Sequence, residues 1–314
     1  MKLLVTGASG RIGRALVVRL ALQHQVLGLD VQPSSTAHFV GDLADAALLR
    51  RALRGVDAVL HCAALHAPQV GLRDEAEFLR VNVQATETLA REACAAGVGH
   101  LVHTSTTALY GAVPDGLQAA QWLDEATTAQ PRTIYHHSKL AAEAALARWA
   151  AAGAFGLSVL RMGRCFAEPA PAMAVARLHR GIDARDVAEA HALALATAAT
   201  APAQRCYVLS GATPFDRADA PRLAQDAAAL IRERVPGLAA AFDARGWALP
   251  ARILRVSDPA RAMAELGWRP HHGWSEVLAQ LDAQSPEVLP PGFVPAEPPP
   301  AASRQPQDNK DFCL

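Results

Sequence analysis

The chain has 314 residues, which is enough for one large domain or for a core domain with a smaller companion. Its 30 basic residues balance 30 acidic ones, which argues against a nucleic-acid or anionic-membrane partner. The sequence shows no secretory signal, no apolar run of about 18 residues and no clustered cysteines. We therefore expect a soluble, cytoplasmic protein without a metal site.

The first two-thirds of the chain alternate short apolar runs with longer helical patterns, which is typical of a parallel α/β sheet. The predicted strands are 2–6, 25–29, 37–40, 58–62, 100–104, 157–162 and 205–209. The predicted helices are 11–22, 44–53, 75–96, 133–152 and 184–198. Later helical patterns cover 218–234, 258–266 and 275–281, with a weak strand at 252–256. The fold class predicted is α/β, a Rossmann-type doubly wound parallel sheet followed by a smaller, mainly helical region.

The pattern predicts three segments. Residues 1–209 form the sheet domain, with a short excursion toward the substrate near residues 164–182. Residues 210–284 form a substrate-binding region. Prolines are frequent from residue 285 onward, so residues 285–314 are predicted to be a disordered tail.

A glycine-rich motif, Thr6-Gly7-Ala8-Ser9-Gly10-Arg11-Ile12-Gly13, lies between the first strand and the first helix. Gly7 permits a tight turn, Gly10 lets the backbone approach a pyrophosphate, and Gly13 allows close packing of helix and strand. The helix N-terminus then offers free N–H groups to the phosphates. Asp30 closes the second strand, where a carboxylate bonds a ribose 2′-hydroxyl and repels a 2′-phosphate. The motif predicts a dinucleotide site that favours NAD over NADP.

Asp42-Leu43 follows the third strand. The carboxylate can bond an adenine amino group or can cap the helix that begins at Ala44. Both interpretations stay open from the sequence.

Tyr135 and Lys139 are four residues apart in a predicted helix and therefore lie on one face. A tyrosine with its ordinary pKa of about 10 is a weak base at neutral pH, and a nearby ammonium favours the phenolate. The pair is a candidate for proton transfer.

These motifs, taken in order, resemble the extended short-chain dehydrogenase/reductase family, the group of NAD-dependent epimerases and dehydratases. The residues that carry the resemblance are the glycine motif, Asp30, Asp42-Leu43, His61-Cys62-Ala63-Ala64, Asn82-Val83, Thr104–Gly111, Tyr135-x-x-Ser138-Lys139-x-x-x-Glu143, Leu160-Arg161, Asp186-Val187-Ala188 and Leu266-Gly267-Trp268-Arg269-Pro270.

The resemblance implies that Thr106, Tyr135 and Lys139 are catalytic, with Lys139 holding the nicotinamide ribose and lowering the pKa of Tyr135. It implies coenzyme contacts from Gly7, Ser9, Gly10, Arg11, Ile12, Gly13, Asp30, Asp42, Leu43, Cys62, Ala63, Ala64, Asn82, Thr104, Tyr135 and Lys139. Thr106 and Thr107 are expected to contact the substrate. The family's long helices, here 75–96 and 133–152, imply a homodimer.

Two departures concern the reaction. Dehydratases of this family carry an acidic pair after the catalytic threonine, whereas Thr107 and Ala108 stand here, so dehydration is disfavoured. The segment from Arg164 to Asp186 is shorter than in sugar-nucleotide epimerases and resembles uronate dehydrogenases locally. Arg164 and Arg177, with Arg180 nearby, could clamp a carboxylate or phosphate, or could only solvate a surface loop.

The function predicted is hydride transfer to and from a sugar or sugar-nucleotide carbinol, most like a sugar-nucleotide 4-epimerase. The alternatives are an NAD-dependent dehydrogenase of a small free sugar acid and, in another class, a non-catalytic NAD(P)-sensing regulator.

Overall fold

The computed structural model describes residues 1–114, 116–198 and 203–294. Its elements in chain order are β1 (Lys2–Thr6), α1 (Arg11–Leu20), β2 (Gln25–Asp30), β3 (Phe39–Val40), α2 (Ala46–Ala52), β4 (Ala58–His61), α3 (Glu75–Leu79), α4 (Ala85–Ala95), β5 (His100–Thr106), β6 (Gln121–Leu123), α5 (Ile134–Ala151), β7 (Gly156–Met162), α6 (Ala170–Ala176), α7 (Ala184–Ala196), β8 (Gln204–Leu209), α8 (Ala220–Gln225), α9 (Ala227–Arg234), α10 (Pro236–Ala244), β9 (Arg255–Ser257), α11 (Ala260–Glu265) and α12 (Trp274–Asp282).

Within the described ranges, seven parallel strands form the main sheet in the order β3-β2-β1-β4-β5-β7-β8. The strand order reverses between β1 and β4. The chain places β2 and β3 on one side of β1 and then returns to place β4, β5, β7 and β8 on the other side. In open α/β sheets a ligand binds at such a reversal, outside the carboxyl ends of the strands. The predicted doubly wound Rossmann-type sheet is confirmed.

Both faces of the sheet are covered by helices. On one face α1 and α7 pack over an apolar cluster that includes Leu3, Val5 and Val187. On the other face α2, α4 and α5 cover a cluster that includes Leu4 and Leu146. Strands buried on both faces are expected to be mainly apolar, and β1 and β4 have apolar centres with a buried polar residue, Thr6 or His61, at the carboxyl end.

A third apolar cluster forms a smaller lobe. It contains the buried faces of α6, α8, α9, α10 and α12, and strands β6 and β9 pair beside it in a separate parallel sheet. The lobe takes Ala120 and Met173 from the first segment as well as residues after 210, so its core joins both parts of the chain. The proposed division at residue 209 remains a prediction.

Three local features differ from the sequence prediction. The helix predicted at 75–96 is interrupted by a π-helical turn at Arg80–Gln84, where Asn82 faces the interior. The helix predicted at 218–234 stops at Gln225, because the Asp226 side chain caps a new helix by accepting from Ala229 N at 3.0 Å. Strand β6 and helices α6 and α10 were not predicted.

The predicted tail begins with an ordered stretch. Val288 is buried, Leu289 N donates to Glu168 O at 3.0 Å, and Glu287 forms an ion pair with Arg11 at 2.6 Å. These contacts hold residues 285–289 across the molecule, so the disorder predicted from residue 285 is wrong for this stretch. The rest of that prediction, at residues 295–314, lies outside the described residues. No helix in the described part of the chain could span a membrane.

Candidate active site

A pocket of about 570 Å³ opens at the carboxyl edge of the sheet. Residues that follow β1, β4, β5 and β7 form its floor, and residues of the smaller lobe form one wall. Thirteen of the predicted site residues line it: Gly7, Gly10, Arg11, Ile12, Gly13, Cys62, Ala64, Thr104, Thr106, Thr107, Tyr135, Lys139 and Arg164. The pocket therefore collects both predicted halves of the site, coenzyme and catalytic.

The glycine motif has the close packing that a dinucleotide loop needs. A Cβ at Gly13 would lie 2.0 Å from Gly7 O, and a Cβ at Gly7, where φ is +71°, would lie 2.7 Å from Ala63 N. Gly10 precedes α1 and supplies no capping side chain, and the first turn holds no acidic residue. The N–H groups of that turn are left to an anion, as a pyrophosphate requires. The loop fits the predicted coenzyme.

Asp30 lies at the end of β2, beside this loop. Its carboxylate accepts from Ser9 N at 2.9 Å and from Gln32 N at 2.8 Å, which fixes its position next to the glycine motif. The Ser9 hydroxyl donates to Gln32 O at 2.6 Å. Ser9 therefore shapes the loop that would receive an adenosine ribose. Its direct contact with coenzyme stays a prediction.

Asp42 serves the local backbone in the structure. It accepts from Ala44 N at 2.8 Å and from Arg80 at 2.8 Å, while Asp45 is the N-cap of α2. Leu43 is buried in the apolar cluster beneath α2. Of the two interpretations of Asp42, the structure shows the backbone contact, and adenine binding stays a prediction.

Tyr135 stands in the first turn of α5. Thr133 caps this helix through its hydroxyl, which accepts from His136 N at 3.4 Å. Burial raises the pKa of Tyr135, and a hydrogen bond from Thr106 lowers it in part. Thr106 also accepts from Ala108 N at 3.0 Å, which orients its hydroxyl at the end of β5. The phenol and this hydroxyl therefore lie next to each other on the pocket floor.

The ammonium of Lys139 contacts strand β5. It donates to Thr104 O at 2.8 Å and lies 3.1 Å from His103 Nε2. Burial lowers the pKa of Lys139 to about 8, against the opposing effects of Glu143 and Cys62. Burial and Thr106 act on the Tyr135 pKa, while the Lys139 ammonium contacts acceptors on β5, so the expected lowering of the Tyr135 pKa by Lys139 stays a prediction.

A directional chain of hydrogen bonds fixes the loop after β4. Ala63 N donates to the Thr6 hydroxyl, and Thr6 lies 2.8 Å from His61 Nδ1. His61 Nε2 lies 2.8 Å from the Thr86 hydroxyl, which donates to Asn82 O at 2.8 Å. Because the Thr86 proton is used there, His61 carries its own proton on Nε2 and accepts from Thr6. Ala63 is thereby held against Gly7.

Asn82 connects this loop to the catalytic helix. Its side chain accepts from Leu65 N at 2.7 Å and donates to Leu65 O and to Ser138, each at 2.9 Å. Ser138 in turn donates to Tyr135 O at 3.0 Å. Asn82 is 2% exposed, so it positions the site from within rather than from the pocket surface.

A second buried network supports Thr104 from the opposite face. His191 Nδ1 donates to Val187 O at 2.8 Å, which leaves Nε2 to accept from the Thr104 hydroxyl at 2.8 Å. Cys62 Sγ lies 2.8 Å from the same hydroxyl and acts as the donor. Burial raises the pKa of Cys62 to about 12, so it remains a thiol.

The entrance of the pocket carries arginines. Arg164 is paired with Glu168 at 2.5 Å, whereas Arg132, Arg180 and Arg255 have no carboxylate partner among the described residues. Burial lowers the pKa of Arg255, and the neighbouring charges of Arg180 and Arg132 lower it further. In the described part of the chain, four guanidinium groups thus share one carboxylate, Glu168, so this part of the pocket carries a net positive charge that favours an anionic ligand.

Arg177 was predicted to contact the substrate, and this prediction is wrong. Its side chain is 2% exposed and forms an ion pair with Asp183 at 3.1 Å, outside the pocket lining. Arg177 is the C-cap of α6, a helix that was not predicted, and its side chain points into the protein interior.

The family model for the NAD dependent epimerase/dehydratase family matches residues 3–181. The chain belongs to this family. The matched region contains the glycine motif, Thr106, Tyr135 and Lys139, which the structure brings to one pocket. The resemblance stated from the motifs is confirmed.

Relatives in this family act on different molecules. The chain is 36% identical over 154 residues to sterol demethylase protein B of Methylococcus capsulatus, covering 46% of this chain and 45% of that protein. It is 29% identical over 170 residues to dTDP-glucose 4,6-dehydratase of Streptomyces niveus, covering 48% and 49%. The chain thus matches less than half the length of these curated relatives.

A solved structure extends the likeness over most of the chain. UDP-glucose 4-epimerase of Thermus thermophilus, in complex with NAD, superposes with a TM-score of 0.66 at 26% identity. The superposition covers 90% of this chain and 98% of the epimerase. The smaller lobe is therefore part of the likeness as well as the sheet.

Several residues in or beneath the pocket were not predicted from the sequence. Arg132, Arg255 and Ser257 line the pocket, and His103 contacts Lys139 beneath it. Arg132 lies three residues before Tyr135, a spacing that could have pointed to the site. Arg255 and Ser257 come from a strand far along the chain, and no local pattern reports their proximity.

Proposed function

We propose that the protein is an NAD-dependent oxidoreductase that moves a hydride to and from a carbinol of a sugar nucleotide, most like a 4-epimerase. The observation that carries this proposal is the Tyr135–Thr106 pair on the floor of a pocket whose entrance bears unpaired arginines. The pair suits a carbinol hydroxyl, and the arginines suit a diphosphate.

The roles of the residues follow from their contacts. Thr106 would hold the substrate hydroxyl, and Tyr135 would take its proton. A nicotinamide coenzyme held by the glycine motif would supply the hydride acceptor for the carbinol carbon. Lys139 would bind the nicotinamide ribose with the N–H that its contacts on β5 leave over.

The arginines support an anionic substrate. Arg180 and Arg255 come from different elements yet lie on one wall, and neither is neutralised by a carboxylate in the described chain. A guanidinium binds phosphate or carboxylate through two parallel hydrogen bonds. Thr107 and Ala108 line the pocket without a carboxyl group, so elimination of water lacks an acid there.

A second candidate is a dehydrogenase of a free sugar acid. Between Arg164 and the start of α7 at Ala184, the structure contains the short helix α6 and two isolated bridges, Arg164–Gly181 and Pro169–Leu289, so this segment offers little surface to a nucleotide. The Arg164 side chain, exposed at the mouth, could then meet a carboxylate.

One experiment separates the two candidates. The purified protein with added NAD is given a UDP-hexose in one sample and a free hexuronate in another. An epimerase converts the nucleotide sugar to its 4-epimer, read by proton NMR, without net absorbance at the NADH band. NADH accumulation with the hexuronate, and no conversion of the nucleotide sugar, would sink the leading proposal.

We further propose a homodimer through α4 and α5, which pack side by side. The exposed side carries Arg148, which pairs with Glu87 at 2.5 Å. Light scattering on the purified protein gives the mass. The Arg148→Glu variant, which places two acids together, should shift the protein toward monomer.

A further inference from the structure

We infer that His103 is a positioning residue that holds the ammonium of Lys139 through Nε2 and so presents its remaining N–H to the pocket. The inference deepens the proposed function, because it rests on Lys139 acting on the coenzyme ribose.

The sheet register brings the groups together. His61 and His103 are opposite each other on β4 and β5, and Thr6 is opposite His61 on β1. The two imidazole centroids lie 5.1 Å apart, and both side chains face α4 and α5. His103 is 1% exposed and Lys139 is 3% exposed, so their contact of 3.1 Å is shielded from water.

The tautomer of His103 follows from this contact. An ammonium can only donate, so His103 Nε2 accepts and its proton is on Nδ1. Nδ1 is buried and has no hydrogen-bond partner in the described structure. An unpaired buried donor lowers the stability of the fold, so His103 is placed to accept from Lys139 at the expense of a hydrogen bond from its own Nδ1.

The ammonium has three N–H groups. Thr104 O and His103 Nε2 take two of them, and Lys139 lines the pocket with the rest of its head group. With two bonds fixed the third direction is also fixed, because the N–H bonds are tetrahedral. A free lysine would instead rotate among all three.

The charged and titratable groups around Lys139 come from four elements. They are His61, Cys62 and His66 on and after β4, His103 on β5, Tyr135 and Glu143 on α5, and His191 on α7 acting on His103. Burial disfavours the ammonium, and the nearby carboxylate of Glu143 favours it. The histidines have pKa values lowered by burial, so they are neutral at pH 7 and His103 can accept.

The test uses the small number of lysines. The sequence contains three, Lys2, Lys139 and Lys310, so NMR of protein labelled with 13C-lysine yields three Cε signals to titrate. In the wild-type protein the Lys139 signal should titrate near pH 8. In His103→Phe, which keeps a ring but removes the acceptor, the midpoint should fall by about one to two pH units.

His103→Gln, which restores an acceptor, should return the midpoint toward the wild-type value and keep NAD binding. His100→Gln, on the same strand but bonded to Ser158, is the control and should leave the Lys139 midpoint unchanged. Equal midpoints in wild type and His103→Phe would overturn the inference.

A measurement on the wild-type protein tests the inference even if the His103 variants do not fold. Two-bond 15N–1H correlations should show His103 with its proton on Nδ1 at pH 7. A proton on Nε2 would overturn the inference. Both readings are made without substrate, so a protein inactive on every sugar nucleotide would refute the proposed function while leaving these results to decide on His103.

Discussion

The two halves of the pocket are built in different ways. The coenzyme half is made of backbone: Gly7, Gly13 and the start of α1 leave no room for side chains, and Arg11 there is neutralised by Glu287. The substrate half is made of long side chains from separate segments, and its arginines have no carboxylate partners in the described chain apart from Arg164. The close packing of the coenzyme half tolerates few substitutions, whereas the side chains of the substrate half can be substituted more freely.

The contrast explains why relatives differ in substrate. A backbone cradle can be altered only by moving the main chain, so it keeps one coenzyme. Side chains on the opposite wall can be exchanged singly without disturbing the fold.

The largest effect is expected where the halves meet. Tyr135→Phe removes the proton-transfer group and should lower kcat by about 10²–10⁴-fold. NAD binding, followed by calorimetry, should change little because the ring and its packing remain. Substantial residual turnover with intact NAD binding would show that Tyr135 does not carry the proton.

A low pH should destabilise the coenzyme half before the substrate half, because buried neutral histidines support the coenzyme half. Burial lowers the pKa of His61 to about 3 and of His191 to about 4, and holds the pKa of His103 well below its usual range. The unfolded chain takes up these protons below about pH 6.5, so stability is full above that pH and is lost as the pH falls toward the folded values.

Each of these histidines should cost about 2 kcal/mol at pH 5. Urea unfolding at pH 7 and pH 5 measures the loss, and His191→Asn should flatten the dependence. A free energy of unfolding that is equal at the two pH values would contradict this assignment of neutral histidines.

A methyl group should break the coenzyme half selectively. Gly13→Ala places a Cβ 2.0 Å from Gly7 O, so the loop must move, and NAD affinity should fall by at least about tenfold. Gly273→Ala is the matched control, since its Cβ would contact nothing within 4 Å. If both variants bind NAD like the wild type, the loop is looser than its packing indicates.

The substrate half should respond to charge. Arg255→Ala or Arg180→Ala should raise KM for an anionic substrate by about 10–100-fold, since a hydrogen bond to a charged group contributes about 1.5–3 kcal/mol. NAD affinity should stay constant. Arg232→Ala, which loses a surface pair with Asp243, is the control. An unchanged KM in both pocket variants would remove these arginines from substrate binding.

The smallest effect is expected at the ion pair that neutralises Arg11 in the coenzyme half. Glu287→Gln frees Arg11 from a partly exposed pair that contributes at most about 1 kcal/mol. An anionic coenzyme should then bind up to a few-fold more tightly, because a carboxylate near its phosphates is gone. Glu276→Gln, which removes one of the two carboxylate partners of Arg185 far from the pocket lining, should leave NAD affinity unchanged. Weaker NAD binding in Glu287→Gln would mean that the pair organises the loop.

The coenzyme half was predictable from sequence because its contacts are local. The glycine motif, Asp30 and the Tyr135–Lys139 spacing each report on a turn, a strand end or a helix face within one segment. The substrate half depends on the position of β9, which brings Arg255 to the pocket, and on α6, after which Arg177 lies in the protein interior. Such long-range placement leaves no periodic trace, so Arg177 was misassigned and Arg255 was missed.

The tie between Arg11 and Glu287 has a consequence for the order of folding. During synthesis the glycine motif is made long before Glu287, and also before Trp268, which packs in the core beside α1 and α7. Domains generally fold as units, so the core beneath α1 is complete only once Trp268 has been made. A truncation before residue 268 is therefore expected to destabilise the sheet domain, whereas a truncation before residue 285 should only leave Arg11 without its carboxylate partner.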